Sequence, residues 1–221
     1  MPIPVLVPRQ PVVVHRGPGR NFAVDGFASA RGLLIVAYVD DAAACERSAI
    51  DGIPVVRFRA WCERLRDVPS IVAALDPSAR RAIVERVVLQ NGVFVAAARS
   101  RSLALSPSAT FGEGTLVGDG PLYVGSSTTI GRHVIISTPA SVAHDITIGD
   151  CVTIHPGAAI SGQVVIEDDV VIGVGAVIVN GHSEKPLRVG RGACLKVGTV
   201  VTKSVSAGAV VAGNPGRPLR P

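Results

Sequence analysis

Aromatic side chains are scarce in this chain of 221 residues, at 4%, and charged residues make up only 18%. A core with so few rings must be aliphatic, and a hydrophobic content of 48% supplies the Val, Ile, Leu and Ala for it. Low charge with many β-branched residues argues against disorder. No stretch reaches the roughly 20 apolar residues of a membrane-spanning helix, so no membrane partner is expected. The opening MPIPVLVPRQPVVVHRG is apolar but broken by proline. It has neither a basic head nor a small-residue cleavage site, and the expectation is a soluble, cytoplasmic protein. The four cysteines, Cys45, Cys62, Cys151 and Cys194, are dispersed with no CxxC, which argues against disulfides or a zinc knuckle. A net charge of +5 suits small anions. Basic residues interleaved with aromatics are missing, and Arg80, Arg81, Arg99, Arg101, Arg217 and Arg220 are scattered. Nucleic acid is therefore not an expected partner.

Two regions follow one another. Up to about Val95, strand signals alternate with helical ones. Val12 to Val14, Leu33 to Val39, Ile53 to Val56 and Ser70 to Leu75 read as strands. Trp61 to Leu65 reads as a helix, and so does Pro77 to Val88, with Ala79, Ile83 and Val87 at helical spacing. This alternation predicts a small parallel α/β unit, Rossmann-like, over residues 1–98.

From about Leu105 to Val205 the pattern has a period of six. Ile130, Ile136, Val142, Ile148, Ile154, Ile160, Ile166, Ile172 and Ile178 hold one unbroken register. Leu105, Phe111 and Val117 keep the step upstream, with one residue inserted before Val124. Val189, Leu195 and Val201 resume it after an irregular stretch from Asn180 to Arg188. A glycine often follows the aliphatic residue, as at Gly131, Gly149 and Gly173, and a small or β-branched residue stands four places after it. An amphipathic helix has a period of 3.6 and cannot give this register, whereas strand alternation can. Each repeat supplies one short strand and one turn. None can bury its own apolar face, so the repeats must stack as a solenoid, here over residues 99–221.

Aliphatic-Gly-x-x-small-x resembles the repeat of the hexapeptide-repeat acyltransferases. Val142 to Asp150, Pro156 to Gly162 and Val210 to Arg217 narrow the resemblance to sugar O-/N-acyltransferases of the sialic-acid and bacillosamine type. The resemblance implies a mixed fold, an N-terminal α/β domain followed by a left-handed parallel β-helix. It also implies a homotrimer with active sites between subunits, acetyl-CoA as co-substrate, no metal, and a nucleotide-linked amino sugar as acceptor. Three repeats would make one coil, so residues 18 apart would stack.

On this resemblance His144 is the candidate base. A largely neutral imidazole at pH 7 can take the proton that an attacking amine must lose. Asp145 is its candidate partner, although neighbours in sequence need not touch and another carboxylate could serve. Gly162, one coil on, would offer its amide to the acyl oxygen; a plain turn glycine is an equal reading. Thr153 stands where the family often has a second histidine near CoA, and His155 could lean in from nearby. Gly213, Asn214 and Pro215 resemble the turn that packs on the adenine and ribose of CoA, and Lys196, Lys203 and Arg217 are candidates for its phosphates. On the acceptor side, Asp40 and Asp41 match the family's acidic pair. The phosphate loop departs from the family: His15-Arg16-Gly17-Pro18-Gly19 replaces Gly-x-Gly-Gly, and Pro18 removes an amide donor. Either the nucleotide binds differently at Gly17 and Gly19, with Arg16 or Arg20 at its phosphates, or the acceptor is not a standard nucleotide sugar.

The expected activity is N-acetylation, with sugar O-acetylation as the near alternative, since one base serves either acceptor. A non-catalytic β-helical scaffold is a further alternative. His133, His144 and His155, eleven residues apart, raise a zinc enzyme, but eleven is not a multiple of 18 and they would not stack.

Overall fold

The computed structural model describes residues 10–17, 24, 28, 32–41, 49–96 and 104–219. The N-terminal part contains β1 (Gln10–His15), β2 (Leu33–Val39), β3 (Ala49–Ile50), β4 (Ile53–Val56), α1 (Phe58–Arg64), β5 (Ser70–Val72) and α2 (Pro77–Leu89). The strands lie in the order β3-β4-β2-β1-β5, with β4, β2, β1 and β5 parallel and β3 antiparallel to β4. Val12 to Val14 are fully buried. A central parallel strand is covered on both faces, which is why it reads as one continuous apolar run. Val13, Ala37, Val39 and Val72 pack against Trp61, Val87 and Phe94 on one side. α2 starts at a clear signal: Asp76 caps it by accepting from the Ala79 amide at 2.8 Å, and Pro77 follows. Each strand and helix expected from the sequence is present; β3, two residues long, was not anticipated.

The C-terminal part is a three-faced β-helix. Strands 18 residues apart pair in parallel, Ile130 with Ile148 and Ile148 with Ile166 on face 1. Ile136, Ile154 and Ile172 line up on face 2, and Val142, Ile160 and Ile178 on face 3. All nine are buried in one aliphatic core. Full burial of such a side chain contributes roughly 1.5–3 kcal/mol. The corners between faces require left-handed backbone, supplied by glycines such as Gly157 and Gly175 and also by His133, Asp145 and Asp169. The inserted residue before Val124 is accommodated at Gly120, with φ of 140°. The irregular stretch is a bulge at the corner from face 3 to face 1: Ile166 pairs with Val189 while residues 179–186 loop out.

The other side of the N-terminal sheet packs on the outside of face 2. Val12, Val14 and Ile71 share a core cluster with Leu116 and Ile135, which point outward from the β-helix and are fully buried. Polar contacts fasten the same junction. Arg80 of α2 is completely buried and donates to the carbonyls of Ala74, Leu75 and Cys151 and to Thr153 Oγ1. Thr153 in turn donates to Leu75 O at 2.7 Å. Beside them, Arg81 pairs with Asp169 at 2.8 Å.

Candidate active site

The corner after strand Ala140–Val142 carries Ala143-His144-Asp145. Asp145 has φ of 56°, a conformation that Asp tolerates better than most residues. In this turn the adjacent side chains do meet: His144 Nδ1 lies 2.7 Å from Asp145 Oδ2. A carboxylate only accepts, so Nδ1 carries the hydrogen, and in the neutral ring Nε2 is the nitrogen with the free lone pair. The His144 side chain is 56% exposed, open to a ligand. One coil on, Gly162 lies against the ring. A Cβ on Gly162 would stand 2.8 Å from His144 Cε1 and 3.1 Å from Nε2. The stacking expected from the 18-residue coil is therefore present, and any side chain at 162 would collide with the imidazole. The Gly162 amide donates to Asn180 Oδ1 at 2.8 Å. Asn180 occupies the same slot one coil further, where the irregular loop begins, and was not anticipated as a site residue.

Thr153 corrects an expectation. It is fully buried, and its hydroxyl is bound by Leu75 and Arg80. A side chain enclosed in the junction with α2 does not reach a surface co-substrate. His155 sits at the corner from face 2 to face 3, and Lys196 and Gly213-Asn214-Pro215 are exposed at that same corner in later coils. The Val200 amide donates to Gly213 O, which holds the tail turn against face 3. His144 stands at the opposite edge of face 3. Between the two edges a groove is lined by Pro121, Tyr123, Pro139, Ser141, Gly157 and Ala159.

At the N-terminal sheet, Gly17 is buried against Ala74, where a Cβ would come within 2.6 Å of the alanine Cβ. Its smallness serves packing of the loops after β1 and β5. Arg16 approaches Asp40 at 3.8 Å. Asp41 accepts from the Phe58 amide at 2.9 Å and from Arg86 at 2.6 Å. Burial pushes the Asp41 carboxyl up, but these bonds and the charges of Arg86 and Arg57 outweigh it and hold it below the usual range. Asp41 thus fastens α1 and α2 to the strand end rather than presenting a free carboxylate. Gly19 and Arg20 lie outside the described residues. His15 is a core residue: it bonds Ser70 Oγ at 3.1 Å, stands edge-on to Trp61, and burial pushes its pKa down to about 3.

His133, His144 and His155 occupy three different corners of the β-helix, so they do not converge within one chain. His133 is buried against Phe94, and burial with the Arg132 charge pushes its pKa down to about 4.

No family model matches this chain, and no curated protein matches it. Solved structures do. WeeI from Acinetobacter baumannii AYE is 29% identical with a TM-score of 0.79, covering 95% of this chain and 100% of that one. The acetyltransferase domain of PglB from Neisseria gonorrhoeae FA1090, in complex with acetyl coenzyme A, is 25% identical with a TM-score of 0.76, covering 96% and 100%. A variant of perosamine N-acetyltransferase from Caulobacter crescentus, in complex with CoA and GDP-perosamine, is 25% identical with a TM-score of 0.80, covering 95% and 97%. The resemblance is to hexapeptide-repeat sugar N-acetyltransferases of the left-handed β-helix type. The likeness to these N-acetyltransferases spans both the N-terminal sheet and the β-helix, so it is not a likeness of the repeat alone.

Proposed function

We propose that this protein transfers the acetyl group of acetyl-CoA to the amino group of a nucleotide-linked amino sugar. The observation that carries the reading is the His144–Asp145 pair at 2.7 Å, with its ring seated on Gly162. The same chemistry is named for the perosamine enzyme that this chain resembles.

In the proposed reaction the acceptor amine attacks the thioester carbonyl carbon. A C–N bond forms, and the carbonyl π pair moves onto oxygen. His144 Nε2 takes the amine proton, and Asp145 stabilises the imidazolium through Nδ1–H. The Gly162 N–H, now on Asn180, is the candidate donor to the oxyanion. When the intermediate collapses the C–S bond breaks, and the thiolate of CoA leaves with the proton returned by His144. His144 and Asp145 are thus the assigned catalytic residues.

Acetyl-CoA is assigned to the outside of face 3. There an extended ligand could run from His144 to His155, Lys196 and Gly213-Asn214-Pro215 at the other edge. The outward residues of this face, Tyr123, Ser141, Ala159 and Val177, are small or apolar and only partly covered. That supports a second copy of the chain closing the groove, as in a homotrimer with sites between subunits. The acceptor nucleotide is assigned to the Rossmann-like N-terminal domain, residues 1–98. In such sheets ligands lie beyond the carboxyl ends of the strands at a topological switch point, here between β1 and β5. Asp40 and Arg16 stand at that end, and Gly19 and Arg20 are assigned to the same site because they follow Arg16 closely in the sequence. The assigned setting is the cytoplasm; among the described residues no helix is long and apolar enough to cross a membrane.

The test is a panel of UDP-, GDP- and dTDP-linked amino sugars incubated with acetyl-CoA, following free thiol and the N-acetylated product. Thiol release that depends on one amino sugar supports the reading. Absence of release across the panel contradicts it.

A further inference from the structure

His144, Gly162 and Asn180 form a column. Each stands two residues beyond a core isoleucine or valine of face 3, namely Val142, Ile160 and Ile178, and each follows the last by one coil. The middle member touches both others: its Cα lies against the His144 ring, and its N–H is bonded to Asn180 Oδ1 at 2.8 Å. A backbone N–H can only donate, so the facing atom of the carboxamide is its oxygen. An sp² oxygen therefore already sits on the Gly162 amide, next to the imidazole. That is the position an acyl carbonyl oxygen would take if the amine were to attack its carbon within reach of His144 Nε2.

We propose that Asn180 is a further catalytic residue of the acyl-binding site, resting on the acetyl-transfer reading above. Its Oδ1 marks the place of the thioester carbonyl oxygen, yields it when the donor binds, and its Nδ2–H then donates to the same oxygen. Two donors, Gly162 N–H and Asn180 Nδ2–H, receive the negative charge that develops as the C–N bond forms. They release it as the C–S bond breaks. A donor aimed at developing charge stabilises the transition state more than the ground state, and so acts on kcat. Asn180 also stands at the start of the loop 179–186, which bulges from this corner.

Asn180→Asp separates this role from a structural one. A carboxylate oxygen accepts from Gly162 N–H as well as the amide oxygen does, so the corner keeps its bond. It has no N–H to give. The variant is compared with wild type and His144→Ala in kcat for thiol release, across the pH range so that a shifted ionisation is not taken for lost catalysis. Affinity for CoA, which lacks the thioester carbonyl, is measured alongside. Asn180→Asp is expected to lower kcat by about 10²–10³-fold, as loss of an oxyanion donor does, with CoA affinity unchanged. Wild-type kcat in Asn180→Asp, or loss of CoA binding together with activity, overturns the inference. If the wild type releases no thiol with any amino sugar, the acetyl-transfer reading itself fails; if His144→Ala remains active, the assignment of His144 as base fails. If only Asn180→Asp remains active, the inference about Asn180 fails alone.

Discussion

His144 rests on Gly162 so closely that one added methyl group would enter the imidazole, with Cε1 2.8 Å from where a Cβ would stand. The contact joins two corners one coil apart, and the regular stacking of Val142 on Ile160 sets it. A rigid β-helix thereby fixes the orientation of a half-exposed side chain, which solvent alone would leave free to rotate.

Gly162→Ala is expected to displace the ring and to lower kcat by roughly 10²-fold, the usual effect of misplacing a reacting group by about an ångström. Gly162 does not require left-handed backbone, so the fold should tolerate alanine. The check is steady-state kinetics beside a thermal melt. Wild-type turnover would show that the contact has no bearing on the reaction.

Asp145→Asn keeps a residue that accepts left-handed backbone but removes the charge that fixes the Nδ1–H tautomer. An expected drop in kcat of about 10²–10⁴-fold follows from the analogous loss in His–carboxylate pairs. A drop in kcat with no change in CoA affinity is the expected signature in a coupled rate and binding measurement.

Arg80 is the buried fastener between the two parts of the chain. Arg80→Met should leave the carbonyls of Ala74 and Cys151 and the Thr153 hydroxyl short of donors, at a cost of about 3 kcal/mol. Denaturant unfolding measures the loss. Amide exchange should quicken first around Leu75 to Arg80 and Cys151 to Thr153. A variant as stable as wild type would contradict the role.

Stability should fall as pH drops. His15 and His133 are held neutral by burial, with pKa values pushed to about 3 and about 4. Both lie below the unfolded value near 6.5, so the unfolded chain binds more protons between those limits. The stabilisation is complete above about pH 6.5 and declines as the pH falls toward 4. Its loss from His133 alone is on the order of 3 kcal/mol. His133→Phe should flatten this decline in an acid titration followed by circular dichroism; an unchanged slope would contradict it.

The six-residue register was legible because each core isoleucine repeats a purely local rule, strand then turn. His144 over Gly162 was legible for the same reason, since coil stacking converts spacing into contact. Asn180 obeyed the same spacing but coincided with the break in register, where the pattern no longer marks the slot. Arg80 was invisible. Its partners at Cys151 and Thr153 lie on another part of the chain, and nothing local sets it apart from the solvated arginines around it. Thr153 was misread for the related reason that its outward position on the β-helix gives no sign that α2 covers it. The paired apolar residues Leu116-Val117 and Ile135-Ile136 held the signal that could have revealed this junction. Both members of each pair are buried, one inside the β-helix and one outside it.

The most direct measurement is kcat for acetyl transfer by His144→Ala on an amino-sugar nucleotide that the wild type accepts. The account predicts a fall of about 10²–10⁴-fold with the fold and CoA affinity intact. Turnover at the wild-type rate in that variant would contradict it.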